Sequence, residues 1–199
     1  EMPKGRKPVQ TRLVEPKQRD KAYQFIREQV RAGRQVFVIC PRIAQKSEDE
    51  MQGTTADEKK SVMEEYEKLQ KDVFPELRIG YLHGKLKVGE KDTTMKAFVD
   101  GELDILVATS VVEVGVNIPN ASVMMIEGAE SFGLAQLHQF RGRVGRSSHQ
   151  SYCFLFTDSD SHEVKKRLSF FEKNTDGFAV AEYYLEMRGP GAVYGTAQS

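Results

Sequence analysis

The sequence has few cysteines, no long apolar run and no excess of charge of either sign. Its two cysteines, Cys40 and Cys153, both lie in apolar, strand-like runs and lack the spacing of a metal site. They predict buried thiols in a reducing compartment and no metal centre. No apolar run approaches the roughly 20 residues that span a bilayer, and no apolar segment follows the first residues as in a signal peptide. These absences predict a cytoplasmic protein without a membrane partner.

The balance of charges limits how the chain could bind nucleic acid. It carries 29 basic and 29 acidic residues, so its formal net charge is zero. Any contact with nucleic acid must therefore use a local patch and not an overall field. A length of 199 residues with 39% hydrophobic residues predicts one globular domain, or one domain with an appendage.

Short apolar runs alternate with helical patterns along most of the chain. Such runs favour strands buried on both faces of a parallel sheet, and the alternation is typical of βαβ units. The predicted strands are 35–40, 77–82, 104–108, 122–126 and 151–156. The predicted inward-facing helical positions include Ala22, Tyr23, Ile26, Val30, Val62, Tyr66, Leu69, Val73, Met95, Phe98 and Val99. The fold class is therefore α/β, a parallel sheet with helices on both faces.

Composition changes at both ends of this pattern. Residues 1–15 are rich in proline and lysine without a period, and we interpret them as a linker or extended lead-in to a domain at 16–158. Residues 159–199 contain no strand signal. Val164, Leu168 and Phe171 predict one helix, a turn follows at 174–177, and a second helix begins at Phe178. The segment 159–199 is therefore predicted to be a helical hairpin followed by a glycine-rich loop.

The segment 139–146 concentrates arginine and glycine. Its three arginines, Arg141, Arg143 and Arg146, are separated by Gly142 and Gly145, and an apolar helical pattern precedes the segment. Arginine presents a flat fork of donors that matches phosphate oxygens, and glycine lets the backbone turn sharply. The segment could grip a polyphosphate, and the alternative is a solvated basic turn.

Three segments together carry a resemblance to a known family. Residues 139–146 resemble motif VI of superfamily 2 helicases, and residues 106–119 resemble their motif V. The tail 188–199 resembles the translocation motif that RecG helicases of branched DNA share with Mfd translocases. The resemblance extends from about residue 5 to residue 199 and implies a RecA-like second motor domain followed by the translocation hairpin and loop.

This resemblance implies a nucleotide site that the chain only half supplies. No phosphate-binding P-loop sequence and no strand followed by an acidic pair for Mg²⁺ occur in the sequence. In such motors ATP and Mg²⁺ are held mainly by the N-terminal motor domain, and the facing domain supplies arginines. The resemblance implies that Arg143 and Arg146 are the catalytic arginines. The implied ATP-binding residues are Gln139, Gly115, Asn117 and Gly142, with Asn117 standing where the family commonly has aspartate.

The resemblance also implies residues that contact DNA. Thr109 and Ser110 follow the third predicted strand and would contact phosphates, as would His83 and Gly84 after the second. Arg42, after the first, is a further candidate. A structural turn is the alternative for His83 and Gly84, and a surface charge without a role is the alternative for Arg42.

A last group of residues would couple ATP use to movement. One of them, Glu113, lies in motif V. The others lie in the tail, for which a frayed terminus is the alternative interpretation. The tail residues with a predicted coupling role are Arg188, Gly189, Gly191, Gly195 and Gln198.

The resemblance thus predicts part of an ATP-dependent DNA helicase that remodels branched or forked DNA in repair and recombination. Its partners would be that DNA and the N-terminal motor and DNA-wedge domains of the same polypeptide, so the isolated chain should be inactive. The alternatives are a module of an Mfd-type translocase acting on stalled RNA polymerase, or a non-catalytic nucleic-acid-binding domain.

Overall fold

Six parallel strands form one sheet in the part of the chain that the structure describes. The computed structural model describes residues 7–42, 55–109, 118, 120–145 and 148–175. The strands are β1 (Gln10–Val14), β2 (Gln35–Ile39), β3 (Ile79–Tyr81), β4 (Ile105–Ala108), β5 (Ala121–Ile126) and β6 (Tyr152–Phe156). Their spatial order is β1-β6-β5-β2-β4-β3. The predicted parallel sheet is confirmed.

The strands at the centre of the sheet are those that the apolar runs predicted. Every residue of β2, β4 and β5 is buried. A strand that is covered on both faces is largely apolar, and only Gln35 in β2 and Ser122 in β5 interrupt these runs, so the strands are recognisable in the sequence.

One strand, β1, was not among the five that the sequence predicted, and it lies within the predicted lead-in 1–15. It pairs with β6 at one end of the order, with Thr11 opposite Cys153 and Leu13 opposite Leu155. Gln10 and Arg12 are exposed, whereas Thr11 and Val14 are buried. The apolar pattern did not predict this strand, because its first three residues are polar and it pairs with only one other strand.

Five α-helices in the described part of the chain cover the two faces of the sheet. They are α1 (Arg19–Arg31), α2 (Thr55–Lys68), α3 (Val88–Val99), α4 (Leu134–Arg141) and α5 (His162–Lys173). One core contains residues of α1 and α2 with Val36 and Val38, and the other contains residues of α3, α4 and α5 with Phe37 and Ile39. Neighbouring residues of a strand point to opposite faces, so both cores draw on the same strands. The predicted helices on both faces are confirmed.

Most predicted inward-facing positions of the helices are buried, but Val99 is not. Phe98 is fully buried, whereas Val99 is 44% exposed. Consecutive residues of a helix lie about 100° apart, so both cannot face the core. The prediction for Val99 was wrong.

The C-terminal part of the fold begins with α5. Leu168 and Phe171 are buried in the core shared with α3 and α4, as predicted. The predicted second helix from Phe178 and the loop 189–199 lie outside the described residues. None of the described helices is long and apolar enough to cross a membrane.

Candidate nucleotide and DNA site

The predicted site residues follow the carboxyl ends of neighbouring strands. Arg42 follows β2, His83 follows β3 and Thr109 follows β4. Because β3, β4 and β2 are adjacent and parallel, these residues lie along the same edge of the sheet. Ligands of open parallel sheets bind at this edge.

The arginine-rich segment begins at the end of α4. Leu137 and Phe140 bury one side of this helix in the core, and Gly142 caps its C-terminus. Gly145 has a φ of +82°, and a Cβ there would lie 2.7 Å from Val9 Cγ2. A side chain at Gly145 is therefore disfavoured both by conformation and by space, and the turn 142–145 packs against the chain just before β1.

Gln139 and Gly142, which are predicted to bind ATP, and Arg143, which is predicted to be catalytic, lie near the end of α4 and on the turn that follows it. Gln139 and Gly142 are exposed, and Arg143 is half-buried. We find no hydrogen bond or ion pair between the Arg143 guanidinium and another described residue. Its donors are therefore available within this part of the chain to a phosphate. Arg146, which is predicted to be the second catalytic arginine, lies outside the described residues.

The first arginine of the segment differs from Arg143. Arg141 is only 4% exposed and donates hydrogen bonds to the Phe171 carbonyl at 3.0 Å and to Thr11 Oγ1 at 3.3 Å. The alternation of arginine and glycine gave no signal that one arginine points inward. Arg141 is the residue that sequence reasoning missed.

Thr109 ends β4 with a buried hydroxyl. The residue is 7% exposed, and its Oγ1 has no hydrogen-bond partner among the described residues. A buried hydroxyl without a partner costs free energy, so this atom is suited to accept or donate a bond when a ligand covers the edge. The remaining motif V predictions, Ser110, Glu113, Gly115 and Asn117, lie outside the described residues.

His83 is held inside the turn after β3. It is 4% exposed, stacks on Tyr81, and accepts a hydrogen bond at Nδ1 from the Lys85 backbone N–H at 3.2 Å. Burial, followed by repulsion from Lys59, lowers the pKa of His83 below its ordinary value. The imidazole is therefore neutral at pH 7 with its proton on Nε2, and these contacts serve the turn. Its contact with DNA stays a prediction, as does that of Gly84.

Two lysines that follow His83 are better placed to bring charge to this edge. Lys85 and Lys87 are exposed, whereas His83 is buried. Exposed lysines beside a glycine turn are ordinary in sequence, so they gave no separate signal. In the folded chain they supply the positive charge that the neutral imidazole lacks.

Arg42 has an acidic neighbour. Its Nη2 lies 3.8 Å from Glu58 Oε2, and the Glu58 side chain is 9% exposed. The distance is that of a loose ion pair, and the guanidinium has five donors, so some remain for another ligand. Glu58 therefore partly neutralises the charge that Arg42 would offer to a phosphate. The phosphate contact of Arg42 stays a prediction.

Comparison with known proteins identifies the family. The helicase conserved C-terminal domain matches residues 17–148. The chain belongs to this family. The predicted superfamily and its RecA-like fold are thereby confirmed.

Its similarity to RecG helicases covers the whole chain. It is 47% identical over 199 residues to the ATP-dependent DNA helicase RecG of Synechocystis sp.. It is 48% identical over 198 residues to that of Thermotoga maritima. The chain spans 23% and 24% of those two relatives, about a quarter of their length.

Solved structures agree with the sequence comparisons. A structure of RecG bound to a three-way DNA junction matches 96% of this chain and 24% of its own, with 48% identity and a TM-score of 0.74. The yeast DEAD-box splicing factor Prp28 matches 90% of this chain and 37% of its own, with 16% identity and a TM-score of 0.58. The second match shows the shared fold alone.

This helicase domain also carries a charge network at the carboxyl edge that the sequence did not indicate. Arg19 Nη2 lies 2.6 Å from Glu127 Oε1 and 3.1 Å from Asp158 Oδ1, and Lys68 Nζ lies 3.8 Å from Glu127 Oε1. Burial lowers the pKa of Arg19, but the hydrogen bond and charge of Glu127 outweigh it and raise the pKa overall. The network ties the start of α1 and the end of α2 to the ends of β5 and β6.

Glu65 adds a third carboxyl group to this network, beside those of Glu127 and Asp158. It is 8% exposed, Lys68 Nζ lies 4.0 Å from its Oε2, and its Oε1 has no partner among the described residues. Burial and then repulsion from Glu127 raise the pKa of Glu65 to about 7, against the opposing effects of Lys68 and Arg19. Glu65 therefore exists in both protonation states near neutral pH.

The two cysteines are buried, as predicted. Burial raises the pKa of both thiols, that of Cys153 to about 12. Both are therefore protonated at neutral pH and unreactive. Within the described ranges, no group of three or more histidine, cysteine or acidic residues could hold a metal ion.

Proposed function

We propose that this chain is the second motor domain of an ATP-dependent DNA helicase that remodels branched DNA in repair and recombination. The observation that carries the proposal is the Arg143 side chain, half-buried and unpaired among the described residues, on a turn fixed by Gly145. The proposal is supported by 48% identity to a structure described as RecG bound to a three-way DNA junction.

In this function the chain supplies charge to a nucleotide held by another domain. ATP and Mg²⁺ would be held mainly by an N-terminal motor domain, where the metal ion would supply positive charge to the phosphates. Arg143 and Arg146 would face the γ-phosphate and stabilise the negative charge that develops during phosphoryl transfer. Gln139, near the end of α4, and Gly142, at the start of the turn, would contact the nucleotide. Arginine fits this role because its fork binds two phosphate oxygens at once.

The motif V residues Gly115 and Asn117 would complete the nucleotide contacts. Asparagine keeps the hydrogen bonding of aspartate and lacks its charge. Asn117 would therefore hydrogen-bond to a neighbouring group without forming a salt bridge to an arginine of motif VI.

DNA would lie along the carboxyl edge of the sheet. Thr109 and Ser110 would contact its phosphates from the end of β4, and Arg42 from the end of β2. At the end of β3, the turn at His83 and Gly84 would present backbone donors, and Lys85 and Lys87 would add charge. Most contacts to a DNA strand are of this kind and carry no sequence information, which suits a motor that must move along any sequence.

The chain would also couple the two sites. Glu113 lies between the DNA-facing start of motif V and its nucleotide-facing end. The tail would pass the motion of the motor domains to the DNA, through Arg188, Gly189, Gly191, Gly195 and Gln198. Glycines allow such a loop to change conformation when the domains close.

Arginine substitutions in the full-length protein test the proposal. We expect Arg146→Ala and Arg143→Lys each to lower the kcat of DNA-stimulated ATP hydrolysis at least about 10²-fold, since a removed preorganised donor costs about that much. The matched control is Arg31→Lys, at an exposed arginine at the end of α1. The isolated 199-residue chain should hydrolyse no ATP with or without DNA. DNA-stimulated turnover by that chain, or normal kcat in both arginine variants, would contradict the proposal.

A further inference from the structure

Arg141 is a buried arginine two residues before Arg143. Its Nη1 donates to the Phe171 carbonyl at 3.0 Å and to Thr11 Oγ1 at 3.3 Å, and its Nη2 donates to His138 Nδ1 at 3.3 Å. The central guanidinium carbon lies 3.8 Å from the centre of the Phe171 ring. One side chain thus joins α4 to both β1 and α5.

The charge of Arg141 has no acidic partner among the described residues. Burial lowers the pKa of Arg141 below its ordinary value, and the neighbouring Cys153 opposes this slightly. Arginine nevertheless stays protonated in proteins, so a charge is buried against neutral acceptors and an aromatic face. An apolar side chain of similar volume would avoid that desolvation cost. Overall stability therefore does not explain why an arginine stands here.

The geometry of the following turn provides an explanation. The Arg141 carbonyl accepts a hydrogen bond from the Val144 N–H at 3.3 Å, and the Phe140 carbonyl accepts one from the Arg143 N–H at 3.0 Å. Arg141 is therefore the base of the turn that carries Arg143. At the other end of the turn, Gly145 packs against Val9. Side-chain bonds to β1 and α5 fix the base, and the glycine contact fixes the far end.

We propose that Arg141 is a positioning residue that holds Arg143 in the direction required for phosphoryl transfer. This inference rests on the proposed function, in which Arg143 faces the γ-phosphate. A displacement of about 1 Å at a catalytic group can cost about 10² in rate. Arg141 would act on catalysis only through Arg143.

A double-mutant cycle in the full-length protein tests this dependence. The four proteins are wild type, Arg141→Met, Arg143→Ala and the double variant, and the readouts are kcat and KM for ATP in the presence of DNA. We expect Arg141→Met to lower kcat about 10- to 100-fold, with KM for ATP changed less than about threefold. The double variant should have the kcat of Arg143→Ala within about threefold, because residues that act as a unit are not additive.

Two further variants separate positioning from folding. Thr11→Val removes one acceptor of Arg141 and keeps the shape of the side chain, so it should fold and lower kcat about three- to tenfold, again without effect in the Arg143→Ala background. Arg19→Met removes a partly buried arginine that lies among residues of the opposite core. It should lower the thermal midpoint while leaving kcat within about twofold at temperatures well below unfolding.

The outcomes distinguish this inference from the proposed function. If Arg143→Ala has normal kcat, the role of Arg143 is wrong and the positioning of Arg143 by Arg141 is wrong with it. Two results would overturn only the positioning role, provided that Arg143→Ala is itself impaired. In the first, Arg141→Met and Thr11→Val lower kcat by the same factor in the Arg143→Ala background as in wild type. In the second, neither variant lowers kcat in wild type. The positioning role is supported if Arg141→Met and Thr11→Val lower kcat in wild type but leave it unchanged in the Arg143→Ala background.

Discussion

Replacing Glu65 with glutamine is expected to change how the stability of this domain depends on pH. Glu65 is 8% exposed in α2, and one of its oxygens has no partner among the described residues. Burial and the charge of Glu127 raise its pKa to about 7, from an ordinary value of 4.5. The folded domain therefore binds a proton at Glu65 more tightly than the unfolded chain does.

The sign of the effect follows from this difference. The raised pKa contributes stability that is fully present below pH 4.5 and is lost as the pH rises through about 7. The difference between the two pKa values corresponds to roughly 3 kcal/mol in the free energy of unfolding. Glutamine cannot ionise, so Glu65→Gln should be about 1–3 kcal/mol more stable than wild type at pH 8. At pH 5 the two should agree within about 1 kcal/mol.

Urea unfolding of the 199-residue chain at several pH values between 5 and 8 measures this difference. Other groups also titrate in this range. The pKa of His83 is lowered by burial, so its contribution to stability increases with pH. Subtracting the wild-type profile from the Glu65→Gln profile removes the contribution of His83 and isolates that of Glu65.

Glu64→Gln is the matched control, because Glu64 is exposed on the same helix. It should change stability by less than about 0.5 kcal/mol at every pH. If the profiles of wild type and Glu65→Gln run parallel, or if glutamine destabilises the domain at pH 8, the Glu65 carboxylate is paired and ionised in the folded state. Either result would refute the reasoning.

Two other predictions concern the arginine turn and the tail. Gly145→Ala should lower the free energy of unfolding by about 1–3 kcal/mol, because its φ is +82° and its Cβ would meet Val9. Chemical denaturation measures this loss, and Gly89→Ala, with open space around its Cβ, should cost nothing. In the full-length protein, Arg188→Ala and Gln198→Ala should keep a substantial ATPase and lose fork unwinding disproportionately. The measurement is base pairs separated per ATP consumed on a forked duplex, and a wild-type ratio would contradict coupling by the tail.

The sequence by itself predicted the central strands and the two helical layers. β2, β4 and β5 are covered on both faces, and this burial favours the nearly continuous apolar runs by which they were recognised. β1 pairs with β6 alone among the strands and begins with three polar residues, so its sequence is compatible with an extended linker. Its assignment as a strand depends on pairing with a segment about 140 residues away, which no local pattern encodes.

The candidate site divides in the same way. The resemblance of residues 139–146 to motif VI pointed to Arg143 and Gln139, because an arginine–glycine segment after an apolar helix is a local feature of the sequence. Tertiary structure alone distinguished Arg141, buried between β1 and α5, from Arg143, half-buried on the turn. It likewise placed Glu65 beside Glu127, which lies 62 positions away in the sequence. Burial and long-range contacts set the chemistry of these groups, and a side chain acquires both only when distant segments pack together.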